Sequence, residues 1–236
     1  MYKQRKVSVI FPAYNEEENI VHAINDFFAT GVVDEMIIVN NNSTDRTAER
    51  VLSTQAILVN EEKQGFGNAV QRGLREATGD YIIMAEPDGT FKGADVFKLL
   101  SYADDFGMVC GTRTVKELIW EAANMNWFIR MGNLVIAKLL EWLYNTPALT
   151  DCGCTMRLIR KEALEKFRTR LSVGGSHFLP EMVILASLHG VRLIEIPVNY
   201  SSRIGVSKIT GSLKGLFQTG LNMVLLMVKY KFKRGI

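Results

Sequence analysis

The sequence predicts an α/β fold in which a mostly parallel, doubly wound sheet is flanked by helices. Short apolar runs of strand character alternate with helical segments, and a polar turn follows each of the first runs. This β-α-β-α alternation requires crossover connections, which join parallel strands. A length of 236 residues suits one large domain or two small ones, and 47% hydrophobic with 22% charged residues describes a globular protein.

Individual elements follow from hydrophobic periodicity: short apolar runs predict strands, and apolar residues that recur every three or four positions predict helices. Pro12 is expected to end the first strand, and Gly31 the first helix, whose opening turn carries glutamates at 16–18. Ser43 is expected to cap the second helix. The predicted strands are 7–11, 36–39, 56–59, 81–84, 108–111 and 193–198. The later helices are one that is entered through the glycine-containing segment 64–68 and runs to about 77, then 94–103, 126–143, one from about 160, and 178–189.

The predicted strand 81–84 runs directly into two carboxylates, Glu86 and Asp88. Pro87 and Gly89 prevent the strand from continuing, so the acids are expected at the carboxyl edge of the sheet. Open α/β sheets bind ligands at that edge. Two carboxylates there suit Mg²⁺ or Mn²⁺ held partly by the phosphates of a substrate, and the alternative is an ordinary solvated turn after a core strand.

Polar loops are also expected at the same edge after the first two strands, at 14–16 and 40–45. Convergence of three such loops is what a nucleotide site needs. The glycine-containing loop 65–67 is a candidate for phosphate contact through its backbone N–H groups. The sequence contains neither the dinucleotide-binding glycine fingerprint nor a P-loop.

Charge is distributed unevenly along the chain. From Arg203 onward there are seven cations and no acid, so residues 1–202 carry a net charge of −4 although the whole chain carries +3. Such a tail favours phosphate-rich partners. The segment from Arg203 to Lys208 also contains Ser207 and a glycine, a composition that suits a phosphate clamp or, alternatively, a solvated basic loop.

Two apolar segments are candidates for a helix at a membrane surface. Residues 126–143 carry an apolar stripe that includes tryptophans, which is typical of a core-facing helix or of an interfacial one. The stretch 213–228 is too short and too polar for a spanning helix, which needs roughly 20 apolar residues. Because alternating aromatic and basic residues follow at 229–234, the stretch predicts an amphipathic helix on an anionic bilayer, or else a helix packed on the body.

The three cysteines predict buried thiols in a reducing compartment, because their spacing suits neither a disulfide framework nor a zinc site. No apolar segment of signal-peptide length follows the N-terminus. We therefore expect a cytoplasmic protein that lies peripherally on the cytoplasmic face of a membrane.

Several segments resemble family 2 glycosyltransferases of the GT-A fold: Pro-Ala-Tyr-Asn-Glu at 12–16, Asn-Ser-Thr-Asp at 42–45 and Glu-Pro-Asp-Gly at 86–89. The segments 151–157 and 203–208, with Glu181, resemble the branch that acts on polyprenyl or dolichyl phosphate. The resemblance covers nearly the whole chain. It implies a catalytic domain over 1–202, and an acceptor-binding loop with a membrane-associating helix over 203–236.

The resemblance implies a role for each matching residue. Glu86 and Asp88 would hold a divalent cation on the donor diphosphate. The residues implied around the nucleotide sugar are Pro12, Ala13, Tyr14, Glu16, Asn41, Glu86, Asp88 and Arg113. Those implied around the acceptor phosphate are Arg130, Arg203, Ser207 and Lys208.

This chain departs from the family pattern at several positions. Asn40 and Asn41 stand where the family usually has two aspartates, which leaves the nucleotide base open between UDP and GDP. Glu86 replaces a more usual aspartate, and Thr90 stands where some members have a glutamine ligand, so the coordination shell is open too.

The implied reaction is an inverting transfer of a sugar from a nucleotide sugar to a polyprenyl phosphate. A lipid phosphate is already an anion near pH 7 and needs positioning more than a base. Transfer to a glycan or small-molecule hydroxyl requires a base, for which Asp151 and Glu181 are the candidates. A second alternative is a non-catalytic nucleotide-sugar-binding protein, whereas the acidic body disfavours nucleic acid as a partner. The sequence indicates no oligomeric state.

Overall fold

The computed structural model describes residues 1–119, 127–204 and 213–232, and this part of the chain forms one sheet with helices on both faces. The strands are β1 (Val7–Ala13), β2 (Glu35–Asn40), β3 (Ile57–Asn60), β4 (Tyr81–Met84), β5 (Met108–Thr112), β6 (Arg157–Arg160) and β7 (Leu193–Pro197). The α-helices are α1 (Ile20–Phe28), α2 (Thr47–Leu52), α3 (Phe66–Glu76), α4 (Asp95–Ser101), α5 (Trp127–Tyr144), α6 (Lys161–Glu165), α7 (Phe178–Leu188) and α8 (Leu213–Phe232).

The strands lie in the order β3-β2-β1-β4-β6-β5-β7. All neighbouring pairs are parallel except those of β6, which runs antiparallel to both β4 and β5. The predicted mostly parallel sheet is therefore confirmed. β6 itself was not predicted, because it offers only Leu158 and Ile159 between two arginines and its pairing with two buried neighbours decides its conformation.

Two hydrophobic cores lie on opposite faces of the sheet, as the alternation of side chains along each strand requires. Ile10 and Ile37 point into the core covered by α3, α5, α7 and α8. Phe11 and Ile38 point into the core covered by α1, α2 and α4. Because both faces are covered, the central strands consist mainly of apolar residues, with Ser8 in β1 and Glu35 and Asn40 in β2 as the exceptions.

Three predicted element boundaries were wrong. β1 continues through Pro12 to Ala13, because β4 ends opposite Ile10 and the missing N–H of Pro12 faces that open side. α1 begins only at Ile20, so the glutamates at 16–18 lie in the loop before it. α2 begins at Thr47 rather than after Ser43, and the N–H of Thr47 donates to the carboxylate of Asp45 at 2.9 Å.

The C-terminal helix α8 packs against α5 and α7. The hydroxyl of Tyr144 on α5 donates to the carbonyl of Met227 at 2.5 Å, and that of Tyr230 donates to Glu181 on α7 at 2.7 Å. Within the described residues, none of the helices combines the length and apolar character needed to cross a membrane.

Candidate active site

A cleft of about 670 Å³ opens where β1 and β4 end. One wall is the loop after β1, and the opposite wall is the start of α3 with the loop before α7. The predicted residues Pro12, Ala13, Tyr14, Glu16, Asn41, Glu86 and Arg203 line it. The other lining residues are Asn15, Gln64, Gly65, Phe66, Ala69, Pro87, Gly175, Ser176 and Ile204.

Hydrogen bonds hold the loop after β1 against the loop before α2. Asn15 adopts a left-handed conformation (φ 56°), which an asparagine tolerates better than most residues. Its side-chain carbonyl accepts from the N–H of Thr44 at 2.8 Å, and its own N–H donates to Ser43 at 3.1 Å. The N–H of Glu16 donates to the hydroxyl of Thr47 at 2.8 Å. The Pro-Ala-Tyr-Asn-Glu segment is therefore a fixed wall whose conformation depends on the Asn-Ser-Thr-Asp segment.

Asn41 organises the chain that leads into α3. Its amide nitrogen donates to the carbonyls of Glu61 and Lys63, at 2.8 and 2.9 Å. Its amide oxygen accepts from the N–H of Gly65 at 2.7 Å. The side-chain nitrogen and oxygen of Asn41 thus both form hydrogen bonds with the backbone of the 61–65 loop. An aspartate could not donate the bonds that the nitrogen makes, so the folding of this loop explains why an asparagine stands here.

The glycines at 65 and 67 allow two chain segments to touch. A Cβ on Gly65 would meet the carbonyl oxygen of Gly174 at 2.3 Å, and one on Gly67 would meet that of Val173 at 2.2 Å. Gly65 also has a φ of 141°, a backbone conformation that residues with a Cβ rarely adopt. The close approach here is to the loop before α7, so packing alone accounts for both glycines. Contact with phosphate remains a prediction.

Three carboxylates surround the guanidinium of Arg203 beside the cleft. Its Nη2 lies 3.0 Å from Oε1 of Glu16, and its Nη1 lies 3.1 Å from Oδ2 of Asp88. Oε2 of Glu86 lies 3.7 Å from the same Nη1. We refer to Glu16, Glu86, Asp88 and Arg203 as the cleft cluster. It joins the end of β1, the end of β4 and the segment after β7, three parts of the chain that sequence spacing does not connect.

Asp88 is the most enclosed acid of the cleft cluster, at 2% exposure. Its Oδ1 accepts from the N–H of Thr90 at 3.0 Å and from the hydroxyl of Thr90 at 2.6 Å. Its other oxygen, Oδ2, is the one that faces Arg203. Thr90 therefore fixes the carboxylate so that one oxygen presents its lone pairs to a cation.

The cleft cluster contains three carboxylates and one guanidinium. Burial raises the pKa of Glu16 to about 7, even though Arg203 opposes the shift. Burial and the neighbouring charge of Asp88 raise the pKa of Glu86 to about 6, and the hydroxyl of Thr155, which donates to Glu86, opposes that shift. Independently of these shifts, one guanidinium faces three carboxylates, so a further cation would balance the charge of the cluster.

The chemistry of these acids fits a divalent cation that is held jointly with a substrate. Within the described residues, no group of three or more His, Cys, Asp or Glu side chains converges closely enough to hold a metal ion by itself. Mg²⁺ and Mn²⁺ sites in nucleotide enzymes commonly use one or two carboxylates and complete the shell with phosphate oxygens and water. Glu86 and Asp88, which share one cationic partner, are the pair that fits such a site.

A second arginine–carboxylate pair lies in the neighbouring loop. Arg113 forms a bidentate pair with Asp151, with Nε to Oδ2 at 2.7 Å and Nη2 to Oδ1 at 2.9 Å. The backbone N–H groups of Arg113 and Gly153 donate to the same carboxylate, at 3.2 Å each. The ring of Tyr200 lies 5.1 Å below the guanidinium. Both oxygens of Asp151 are thus occupied, and its side chain is fully buried.

Arg157 stabilises the loop that carries Asp151, although the sequence gives no hint that this arginine is buried. It is completely enclosed and donates to the carbonyls of Cys152, Cys154 and Leu179, at distances of 2.6–3.4 Å. The cysteines of this loop are free and buried, and burial raises the pKa of Cys152 to about 12. They are inert structural thiols, as predicted.

Glu181, the other predicted base, is fully buried and serves the structure around it. It accepts from the N–H groups of Ser172 and Val173, at 3.1 and 2.9 Å, and from the hydroxyl of Tyr230 at 2.7 Å. It therefore ties α8 to the loop before α7 rather than facing the cleft.

Three of the residues predicted around the acceptor phosphate remain to be placed. Arg130 is half-buried in the first turn of α5. Ser207 and Lys208 lie outside the described residues. Sequence reasoning also missed Thr155 and Tyr200, which reach the site through the folding of the chain and carry no local signal.

Comparison with known proteins gives matches over most of the chain. The family model for glycosyl transferase family 2 matches residues 8–168. An uncharacterized glycosyltransferase of Mycobacterium tuberculosis is 32% identical over 216 residues, which cover 89% of this chain and 92% of that protein. The low-salt glycan biosynthesis hexosyltransferase Agl6 of Haloferax volcanii is 27% identical over 86% of this chain, although the match spans 49% of Agl6.

Among solved structures, the chain is similar to glucosyl-3-phosphoglycerate synthase from Mycobacterium tuberculosis in complex with Mn²⁺, UDP and glucosyl-3-phosphoglycerate. The TM-score is 0.70 at 19% identity, and the match covers 97% of this chain and 80% of the other. The same synthase in complex with Mn²⁺, UDP-glucose and phosphoglyceric acid gives a TM-score of 0.72, also at 19% identity. At this level of identity the likeness establishes the fold, and it confirms the expected GT-A architecture.

Proposed function

Because this chain belongs to glycosyl transferase family 2, a family of nucleotide-sugar glycosyltransferases, we propose that it transfers a sugar to a polyprenyl phosphate at a membrane surface. In this proposal residues 1–202 form the catalytic domain. Residues 203–236 supply the acceptor-binding loop and a helix that rests on the cytoplasmic face of the membrane.

The donor half of the proposal rests on the cleft and its carboxylates. The cleft lies at the carboxyl ends of parallel strands, where α/β sheets bind nucleotides. Pro12, Ala13 and Tyr14 belong to the fixed wall of the cleft, which suits a base and ribose. Glu86 and Asp88 would hold Mg²⁺ or Mn²⁺, which when bound neutralises charge on the leaving diphosphate. The reported Mn²⁺ and UDP complexes of glucosyl-3-phosphoglycerate synthase are of the same fold and agree with this assignment.

The acceptor half rests first on the bonding of the two predicted bases, Asp151 and Glu181. Asp151 is held by Arg113 through both oxygens, and Glu181 is enclosed by four hydrogen bonds. A hydroxyl acceptor needs such a base, whereas a phosphate monoester is already ionised near pH 7. The bonded state of these two acids therefore favours an acceptor that needs no base, such as a phosphate monoester.

The observation that carries the proposal is an exposed apolar stripe on α8. Phe217, Leu221, Leu225, Val228 and Phe232 follow one another every three or four residues and are between 42% and 80% exposed. The opposite face of α8, with Met223, Leu226, Met227 and Tyr230, is buried in the core.

The stripe begins beside the cleft and ends among cations. Thr219 lies 3.5 Å from the hydroxyl of Ser176, which lines the cleft, so the first half of α8 reaches the cleft wall. Lys229 and Lys231 are exposed near its end. The adjoining helix α5 exposes Trp142 (80%) and Val135 (53%) in addition. An apolar face flanked by lysines is the pattern of a helix that lies in the headgroup region of an anionic bilayer.

A transfer assay tests the proposal. The protein is mixed with Mn²⁺ or Mg²⁺, liposomes that contain a short polyprenyl phosphate, and each of several labelled UDP- and GDP-sugars. We expect label from one donor in the organic phase, and none with Asp88→Asn. Consumption of the donor without organic-phase label would instead indicate a hydroxyl acceptor. If no donor is consumed, the chain is a nucleotide-sugar-binding protein.

A matched pair of variants tests the role of the stripe. Phe217→Ser combined with Leu225→Ser should abolish binding to anionic liposomes and lower transfer to the lipid. Leu52→Ser is the control, because Leu52 is 72% exposed on α2, away from α8. Equal liposome binding by both variants would overturn the membrane assignment.

A further inference from the structure

Resting on the metal-dependent donor site proposed above, we infer that Arg203 competes with the divalent cation for Glu86 and Asp88. In this view Arg203 is a positioning residue that makes metal binding depend on the nucleotide. Arg203 would leave these carboxylates when a divalent cation and a nucleoside diphosphate bind together, and Glu86 and Asp88 would then hold the cation.

The first argument is the sharing of oxygen atoms. One nitrogen of Arg203, Nη1, lies 3.1 Å from Oδ2 of Asp88 and 3.7 Å from Oε2 of Glu86. These are the two carboxylates that fit a metal. Oδ1 of Asp88 is already bonded by Thr90, so Oδ2 is the oxygen through which Asp88 would bind a metal. A divalent cation on that oxygen would lie within a few ångströms of a guanidinium, and like charges at that distance repel strongly.

The second argument concerns how Arg203 is held. The backbone on both sides of it is bonded to the turn that carries Asp88: the N–H of Ser201 donates to Thr90 at 2.9 Å, and that of Ile204 donates to the carbonyl of Asp88 at 2.8 Å. The side chain alone can therefore move while the backbone stays in place. Within the part of the chain that the structure describes, Nε of Arg203 is buried and has no hydrogen-bond partner, so the present position leaves one donor unsatisfied.

The third argument is that the acids do not form a complete metal site. Within the described residues no three such side chains converge on a metal position, so the metal needs oxygens from the nucleotide. A diphosphate also provides a new anionic partner for the guanidinium, because arginine binds phosphate in bidentate fashion. The arrival of the diphosphate therefore both completes the metal shell and accepts the displaced arginine. By linkage, metal and nucleotide must each strengthen the binding of the other by the same factor.

The test measures Mn²⁺ binding directly, by the electron paramagnetic resonance signal of the free ion, and requires no turnover. UDP and GDP are both tried at saturation, and the nucleotide that strengthens Mn²⁺ binding more is used throughout. For wild type we expect weak binding of Mn²⁺ alone and much tighter binding with that nucleotide. Arg203→Met keeps the apolar stem and removes the cation. It should bind Mn²⁺ alone at least about tenfold more tightly than wild type, and the strengthening by nucleotide should shrink. Arg203→Lys keeps the charge and should stay close to wild type.

Arg46→Met is the matched control. Arg46 is a cation in the neighbouring loop, where it pairs with Glu17 at 3.1 Å and touches none of the cleft cluster's acids. Its loss should leave the affinity for Mn²⁺ alone within about twofold of wild type. Arg203→Gln repeats the measurement if Arg203→Met does not fold.

The outcomes separate the inference from the function it rests on. Unchanged binding of Mn²⁺ alone by the Arg203 variants overturns the inference, as does an equal gain in Arg46→Met, which would indicate a general charge effect. If nucleotide strengthens Mn²⁺ binding in wild type in either of those cases, the proposed metal-dependent donor site stands. If no variant binds Mn²⁺ even with nucleotide, the proposed donor site fails and the inference fails with it.

Discussion

Two arginines bind carboxylates beside the cleft, and the two groups differ in their balance of charge. Arg113 and Asp151 pair one to one, with every carboxylate oxygen bonded at 3.2 Å or less. In the cleft cluster Arg203 alone faces Glu16, Glu86 and Asp88, at distances that reach 3.7 Å. A balanced and fully bonded pair stabilises a loop, whereas an excess of acid beside a cleft provides for a cation that arrives later.

The difference extends to how each group is supported. Asp151 lies in a loop whose backbone N–H groups, at Thr150 and Asp151, donate to Glu195, and buried Arg157 bonds the carbonyls that follow. The cleft cluster is assembled from three separate segments, and one guanidinium nitrogen of Arg203 has no hydrogen-bond partner among the described residues. The first group is therefore expected to resist change and the second to respond to ligands.

The largest expected effect is that of Asp88→Asn. Loss of the enclosed carboxylate should lower transfer by roughly 10³-fold, because the charge that would hold the cation on the leaving diphosphate is lost. Stability should change by less than about 1 kcal/mol, because Glu16 still bonds Arg203. Transfer rate and thermal unfolding are measured on the same preparation. A large fall in the unfolding temperature would show that the cleft cluster is structural after all.

Asp151→Asn should show the opposite pattern. It leaves the guanidinium of Arg113, which is 14% exposed, without a counter-charge, and breaking such a pair costs about 3–5 kcal/mol. For a chain of this size the midpoint of thermal unfolding should fall by about 10 °C. Mn²⁺ binding in the presence of nucleotide, measured below that midpoint, should stay close to wild type. A variant that unfolds like wild type but has lost transfer would instead restore Asp151 as a base.

The sequence predicted the individual acids better than their partners. Glu86 and Asp88 could be placed at the sheet edge because an apolar strand precedes them and Pro87 and Gly89 prevent that strand from continuing. The cleft does lie at this edge. Arg203 was assigned to a phosphate from the composition of residues 203–208 and from the family resemblance of that segment. Its partners Glu16 and Asp88 lie more than 100 positions earlier in the sequence, and no local sequence pattern predicts contacts between residues so far apart.

The same reason explains what was missed in the fold. The parallel core was predictable because its strands are short apolar runs between helices. β6 forms because it pairs with β4 and β5, and Arg157 is buried because carbonyls of a loop accept its hydrogen bonds. Neither feature can be read from the local conformational propensity of the sequence. The glutamates at 16–18 were assigned to the first turn of a helix because acids are favoured there. In the structure Glu17 instead accepts from Arg46 of the neighbouring loop, and Glu16 belongs to the cleft cluster.

A smaller effect is expected at Thr155, which connects the two groups. It lies in the loop of Asp151, and its hydroxyl donates to Glu86 of the cleft cluster. Thr155→Val keeps the shape and removes the donor, so Glu86 loses its orientation. A supporting hydrogen bond of this kind is commonly worth about tenfold in metal affinity. Mn²⁺ affinity with saturating nucleotide should fall by about that factor, and Thr155→Ser, which keeps the hydroxyl, should not change it.

The smallest effect is expected at Tyr200, whose ring lies against Arg113 and, at 5.8 Å between centroids, against Phe91. Tyr200→Leu removes the aromatic face and should cost about 1 kcal/mol, the usual size of a partly desolvated cation–π contact. The unfolding midpoint should then fall by about 3 °C. Tyr200→Phe keeps the face and should lose less than half as much. Because Tyr200 contacts the balanced pair and none of the cleft cluster's acids directly, Mn²⁺ affinity should not change in either variant. A fall in that affinity without a fall in stability would mean that the two groups form a single electrostatic unit, and the contrast drawn between them would not hold.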